Sequence, residues 1–133
     1  MANNDELANA AAQGNYDKVN ELLHNGADVD GINSFGRTPL QVMKMGCPEI
    51  CRLLLQHGAD PNRQDNQQIA LIHDVAREGF LDTLQVLIEV GNADANLRDK
   101  NQQRPIDLAK QHGHLDIVNY LDGARPAGNL QQR

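Results

Sequence analysis

The sequence predicts an all-α fold, a solenoid of four helix-turn-helix repeats with projecting β-hairpin-like loops. Three observations support this prediction. The helix-breaking glycines Gly14, Gly46, Gly79 and Gly113 follow one another at spacings of 32, 33 and 34 residues. Apolar runs with helical spacing lie on both sides of each glycine. Three copies then end in a Gly-Ala-Asp or Gly-Asn-Ala-Asp turn. Self-similarity at a fixed period of this size is typical of a repeat architecture.

The third copy, residues 72–94, identifies the type of repeat. It resembles the pattern T-P-L-H-x-A-A-x-x-G-H-x-x-V-x-x-L-L-x-x-G-A-D, which is the signature of ankyrin repeats. One such repeat cannot bury its apolar face alone, so stacked neighbours share a continuous core. Because the chain has two Phe, two Tyr and no Trp, we expect that core to be aliphatic. An array of this kind builds a groove for another protein, which makes binding the default function.

One domain is expected over residues 1–122. In repeat one, a first helix of small residues over 7–12 precedes a second helix over about 17–24. The second helix carries Val19, Leu22 and Leu23 on one face. Residues 31–36 form the loop that projects towards repeat two. The repeat boundaries are expected at about 4–33, 34–66, 67–100 and 101–122.

Repeat two departs from the others in its first helix. Thr38 can cap this helix and Pro39 suits its first turn. Six positions separate Leu40 from Gly46, whereas the other repeats have seven over the same stretch. The first helix is therefore expected to shrink to little more than one turn. Met43 and Met45 stand where the generic repeat has alanines.

Repeats three and four complete the array. Repeat three runs from about Ala70 to Val90 and carries an extra residue, Asn92, in its closing turn. Repeat four begins near Arg104 and ends with apolar residues at 115, 117, 118 and 121. Residues 123–133 lack helical periodicity, and we expect them to form a flexible tail.

Composition and motifs exclude several classes of function. The net charge of -6, without clustered Lys or Arg, argues against nucleic-acid binding. No Ser or Cys stands in a nucleophile context and no glycine-rich phosphate loop is present, so neither an enzyme nor a cofactor is expected. Cys47 and Cys51 lack further suitably spaced metal ligands and are expected to be reduced thiols. The absence of a signal peptide, long apolar run or lipidation motif predicts a soluble, monomeric protein of the cytoplasm and nucleus.

The histidines and most of the acidic residues have structural interpretations. His73 occupies the histidine position of the repeat pattern, where the ring bonds the backbone of a neighbouring turn. Asp107 replaces that histidine in repeat four and is expected to take over its function. The acidic residues of the closing turns are expected to stabilise those turns. Asp74 follows His73 and faces the concave side, where a partner contact is favoured and a solvated surface is the alternative.

Three stretches carry a more specific resemblance. Phe35-Gly36-Arg37 and Gln41-Val42-Met43, together with the shortened helix, are similar to the second repeat of the INK family of cyclin-dependent kinase inhibitors. Residues 73–84, His-Asp-Val-Ala-Arg-Glu-Gly-Phe-Leu-Asp-Thr-Leu, resemble the family's third repeat, and residues 105–116 resemble its fourth. The resemblance covers roughly residues 5–122, and the four repeats are similar to those of the shorter members.

The resemblance implies a stoichiometric inhibitor of the cyclin D-dependent kinases, numbers four and six of their series. Members bind beside the ATP cleft, oppose activation by cyclin and arrest the cell cycle. Asp74 matches an acid that pairs with a kinase arginine. Arg77 either reaches a kinase carboxylate or acts within the chain. The kinase-binding residues implied in this way are Asp74, Asp17, Asp65, Asn33, Phe35, Lys44 and Arg77. The alternative is a generic ankyrin adaptor that binds an unrelated protein through its concave face.

Overall fold

The computed structural model describes residues 4–123, which form eight α-helices in four consecutive pairs. No strand occurs within this range. The predicted all-α solenoid of four helix-turn-helix repeats is therefore confirmed. The helices are α1 (Asn4–Gln13), α2 (Tyr16–His24), α3 (Pro39–Val42), α4 (Pro48–Gln56), α5 (Leu71–Glu78), α6 (Leu81–Glu89), α7 (Pro105–Gln111) and α8 (Leu115–Gly123).

The first helix of repeat two, α3, has only four residues, which confirms the predicted shortening. A capping box closes its start. The Thr38 hydroxyl accepts a hydrogen bond from the Gln41 N–H at 3.3 Å, and the Gln41 carboxamide accepts one from the Thr38 N–H at 2.8 Å. The helix ends because Met43 adopts an extended backbone with ψ of 152°. The Met43 side chain is buried and belongs to the core.

The core is one continuous aliphatic cluster that runs through the helices of all four repeats, as the composition predicts. The first helices pack as the pairs α1 with α3 and α5 with α7. The second helices pack in sequence, α2 on α4, α4 on α6 and α6 on α8. Each helix pair thus buries its apolar face against its neighbours, as expected for a solenoid.

Three projecting loops, residues 33–37, 65–69 and 99–103, share one hydrogen-bonding scheme. They are called the first, second and third loops. In each, the first residue's backbone N–H donates to the carbonyl of the fifth residue, at distances of 2.8, 3.0 and 3.0 Å. The fourth residue's N–H also donates to the carbonyl of the first, at 2.9, 2.8 and 2.9 Å. These two backbone bonds give each loop its hairpin-like form without a strand. The fourth residue has a positive φ in all three: Gly36 at 76°, Gln68 at 60° and Gln102 at 65°.

Neighbouring repeats also pack closely at the turn between their helices. A Cβ on Gly46 would lie 3.2 Å from the Phe80 ring, and one on Gly79 would lie 2.6 Å from the His114 ring. Both glycines have positive φ, 82° and 88°. In both cases the residue after the turn glycine of one repeat packs against the turn glycine of the preceding repeat. This contact packs successive repeats closely against each other.

The acidic residues of the closing turns hold those turns, as predicted. Asp28 accepts a hydrogen bond from the Asp30 N–H at 3.0 Å. Asp60 and Asp94 accept the equivalent bond from the N–H group of the residue two positions later. The next polar residue reaches the following repeat. Asp30 accepts from the Asp60 N–H at 3.1 Å, and Asn62 accepts from the Asp94 N–H at 2.8 Å. These turns thus link the repeats as well as closing each one.

The end of the array differs slightly from the expectation. Helix α8 extends to Gly123, one residue past the boundary placed at residue 122, because the helical backbone continues through this glycine. The remaining ten residues of the predicted tail, 124–133, lie outside the described range.

Candidate functional site

Asp74 and Arg77 form an ion pair one turn apart on α5. Arg77 Nη2 donates to Asp74 Oδ1 at 2.6 Å, and the two side chains are 28% and 34% exposed. Arg77 Nε also lies 3.5 Å from Glu78 Oε2. Of the two functions that the resemblance left open for Arg77, the intramolecular contact is present in the structure. Within residues 4–123, Asp74 Oδ2 has no hydrogen bond, so one carboxylate oxygen remains available to a partner.

The position of Asp74 depends on the buried residue before it. His73 is fully buried; its Nδ1 accepts from the Ala70 N–H at 3.0 Å, and its Nε2 donates to the Leu97 carbonyl at 2.9 Å. The first bond caps the start of α5, and the second ties α5 to the segment before the third loop. The predicted function of His73 is confirmed. With His73 fixed, the neighbouring Asp74 side chain is directed to the surface.

Asp107 takes the place of that histidine in repeat four, as expected. Its Oδ2 accepts from the Arg104 N–H at 2.9 Å, the bond that His73 makes in repeat three. Arg104 Nη2 also pairs with Asp107 Oδ1 at 3.1 Å. Hydrogen bonds from Arg104 hold the pKa of the Asp107 carboxyl below its ordinary value of 3.8.

Asn33 and Asp65 have a structural function that the sequence analysis missed. Asn33 Oδ1 accepts from the N–H groups of Phe35 at 2.8 Å and Arg37 at 3.0 Å. Asp65 Oδ1 makes the same two contacts in the second loop, and Asp99 makes them in the third. These oxygens hold the loops together. The spacings of 32 and 34 residues between the three positions match the repeat period and could have revealed the function.

The first and second loops flank a groove of about 450 Å³. Phe35, which is 83% exposed, and Asp65 both line it. The structure therefore brings two of the predicted contact residues together. It adds two arginines, Arg37 and Arg63, that the sequence analysis did not assign to the site. Its full lining is Phe35, Gly36, Arg37, Gln41, Arg63, Gln64, Asp65 and Asn66.

Asp17 and Lys44 do not line this groove. Asp17 is exposed in the first turn of α2. Lys44 is exposed after α3, and its backbone N–H donates to the Ala11 carbonyl at 2.9 Å. The aliphatic part of Lys44 lies over Gly14, where a Cβ would be 2.9 Å from Lys44 Cδ. The backbone and stem of Lys44 thus join the first two repeats, while the ammonium group stays accessible.

The two cysteines are free thiols. Cys51 is fully buried, and burial raises the pKa of its thiol to about 12. Within residues 4–123, no cluster of three or more His, Cys, Asp or Glu side chains is arranged to hold a metal ion. None of the helices in that range is long and apolar enough to cross a membrane.

Comparison with known proteins agrees with the fold and the motifs. A family model described as ankyrin repeats (3 copies) matches residues 7–99 and 44–127. Cyclin-dependent kinase 4 inhibitor B of Homo sapiens is 50% identical over 116 residues, which are 86% of this chain and 83% of that protein. Cyclin-dependent kinase inhibitor 2A of Homo sapiens is 48% identical over 121 residues, 90% of this chain and 77% of that protein.

A third relative is much less similar. The probable E3 ubiquitin-protein ligase XBOS34 of Oryza sativa subsp. japonica is 28% identical over 114 residues, which are 83% of this chain and 22% of that protein. The identity to the two kinase inhibitors is far higher and spans most of each protein. The chain belongs to the INK family of ankyrin-repeat cyclin-dependent kinase inhibitors.

Proposed function

We propose that this protein is a stoichiometric inhibitor that binds the cyclin D-dependent kinases four and six beside the ATP cleft. The observation that carries the proposal is the 48–50% identity with two named kinase inhibitors over 86–90% of the chain. The four-residue α3 supports it, because the motifs that resemble the INK family include this shortened helix. The inhibitor performs no chemistry and needs no cofactor.

Inhibition follows from a difference in affinity between two conformations of the kinase. A protein that binds the inactive arrangement of the kinase lobes more tightly than the cyclin-competent one shifts the population towards the inactive form. A difference of about 10⁴-fold in affinity moves a kinase from almost wholly active to almost wholly inactive. We propose that the monomeric array acts in the cytoplasm and nucleus and binds neither nucleic acid nor membrane.

Asp74 is proposed as the central contact, with its free Oδ2 facing a kinase arginine. Its bond to Arg77 at 2.6 Å orients the carboxylate before binding, which lowers the entropy lost on association. Arg77 is therefore assigned an orienting function. Phe35 and Asp65 contact the kinase from the loop groove, with Asn33 holding the first loop, while Asp17 and Lys44 make peripheral contacts.

Calorimetry with isolated kinase four tests the proposal, using wild type, Asp74→Ala and Arg77→Ala. Removing one partner of a desolvated charge pair costs about 2–5 kcal/mol, so Asp74→Ala should weaken binding roughly thirtyfold or more. Arg77→Ala should weaken it less, because Asp74 keeps its charge. Asp122→Ala, an exposed change of the same charge on α8, is the matched control.

The outcomes separate the function from the residue. If Asp74→Ala and Asp122→Ala bind kinase four with equal affinity, Asp74 does not contribute to the interface, and the proposed inhibitor function still stands. A folded wild-type protein that binds neither kinase four nor kinase six would favour the alternative, an adaptor for an unrelated partner. Circular dichroism of each variant checks that the loss of the Asp74–Arg77 pair has not unfolded the array.

A further inference from the structure

We propose that the groove between the first and second loops binds an acidic segment of the partner. In this arrangement a partner carboxylate lies between Arg37 and Arg63, and an adjoining apolar side chain covers Phe35. The identity of the partner as a kinase rests on the proposed function above.

Within the part of the chain that the structure describes, the two arginines of the groove have no carboxylate partner. Arg37 and Arg63 are exposed, and within residues 4–123 neither forms an ion pair. Arg52 and Arg98 form none in that range either, but they do not line the groove. The chain as a whole has 18 acidic and 12 basic residues, and its net charge is therefore negative. Two unpaired guanidinium groups on one groove therefore form a local positive site on an acidic protein.

The carboxylate of Asp65 offsets only one of these two positive charges, and the local excess stays positive. Although Asp65 lines the groove, its Oδ1 accepts the N–H groups of Gln67 and Ile69 at 2.8 and 3.0 Å. These bonds hold the carboxylate against its own loop, and no ion pair joins it to either arginine in the described range. The guanidinium groups keep their planar sets of donors, which match the geometry of a carboxylate.

Phe35 supplies an apolar contact beside the arginines. The first loop that presents it is fixed, because the Phe35 N–H donates to Asn33 at 2.8 Å and the Ser34 N–H donates to Asp5 at 2.8 Å. A large ring that is 83% exposed on a fixed loop is the kind of residue that dominates binding when a partner covers it. Arginine next to an exposed aromatic ring favours an acidic segment with an apolar neighbour.

The second loop is fixed to the third and not to the first. Gln64 Nε2 donates to the Arg98 carbonyl at 3.1 Å, and the Lys100 N–H donates to the Gln67 carbonyl at 3.0 Å. Within the described residues, no hydrogen bond joins the first loop to the second. The groove is thus a gap between two separately anchored loops, and an extended segment can enter it without breaking a hydrogen bond between them in the described range.

Kinase affinity provides the first test, with Arg37→Gln, Arg63→Gln and the control Arg52→Gln. Arg52 is exposed on α4 and outside the groove. A lost charge-assisted hydrogen bond is expected to weaken binding about tenfold or more for each groove variant. The fall of affinity with added salt should also become shallower in these variants and stay unchanged in the control. If the kinase binds all three variants equally, the groove proposal fails and the inhibitor function stands.

Nuclear magnetic resonance with a peptide provides a test that does not need the kinase. A blocked hexapeptide of alternating glutamate and leucine should shift the side-chain signals of Arg37, Arg63 and Phe35, and leave that of Arg52 in place. The matched peptide with lysine in place of glutamate should shift none of them. If the glutamate peptide shifts these signals but the wild-type protein binds no kinase, the groove proposal stands and the kinase is not its partner. No shift with the glutamate peptide, or shifts only with a phosphoserine peptide, would overturn the carboxylate assignment.

Discussion

Gly79→Ala is expected to destabilise the array by about 2–4 kcal/mol. Gly79 has a φ of 88°, and an L-residue in this left-handed region costs about 1–2 kcal/mol. The new Cβ would also lie 2.6 Å from the His114 ring. That ring is held by a bond of 2.9 Å from Nε2 to the Arg77 carbonyl. Displacing it removes a hydrogen bond worth about 1 kcal/mol and part of its packing.

Gly113→Ala is the matched control, because it has the same backbone strain without the contact. Gly113 has a φ of 74°, and apart from its two chain neighbours no atom of the described residues lies within 4 Å of its ideal Cβ. Its substitution should cost only the backbone term, about 1–2 kcal/mol. The difference between the two variants therefore measures the packing of repeat four on repeat three.

Urea unfolding followed by circular dichroism gives both free energies. A double-mutant cycle with His114→Ala then isolates the contact. In the His114→Ala background, the penalty of Gly79→Ala should fall to that of Gly113→Ala. Equal penalties for Gly79→Ala and Gly113→Ala in the wild-type background would refute the argument that this contact stabilises the repeat interface.

Three further predictions concern stability. His73→Leu should cost about 2–6 kcal/mol in urea unfolding, because the buried Ala70 N–H and the partly buried Leu97 carbonyl lose their hydrogen-bond partner. His57 is exposed, and His57→Ala should cost about 1 kcal/mol or less; similar costs for the two variants would contradict the anchoring function of His73. Burial raises the pKa of Cys51 from 9.0 to about 12, so the folded state resists thiol ionisation. The contribution of Cys51 to the free energy of unfolding is complete below pH 9 and is lost between pH 9 and 12. If the free energy of unfolding falls equally steeply with pH in Cys51→Ala, Cys51 is not the cause of the fall. Gln102→Gly should raise the melting temperature by the equivalent of about 0.5–1 kcal/mol, because Gln102 has a φ of 65°. The control Asn101→Gly should lower the melting temperature. A lower melting temperature in both variants would show that the backbone of Gln102 is not strained.

The residue pattern was sufficient for the elements whose cause is local. The length of α3 follows from one missing residue between Leu40 and Gly46. The start of that helix follows from Thr38 and Pro39, which act within a single turn. The substitution of Asp107 for the repeat histidine was also predictable, because both side chains accept the N–H three residues before them. In each case the interacting atoms are near neighbours in the chain.

The sequence by itself determined the all-α repeat fold, its aliphatic core and the family to which the protein belongs. Only the tertiary structure decided how the candidate contact residues are used. It placed Phe35 and Asp65 on one groove with Arg63, and it left Asp17 and Lys44 outside that groove. Periodicity fixes which face of a helix is buried. It does not fix which polar groups meet on the surface, because that depends on side-chain geometry and on the stacking of one repeat against the next.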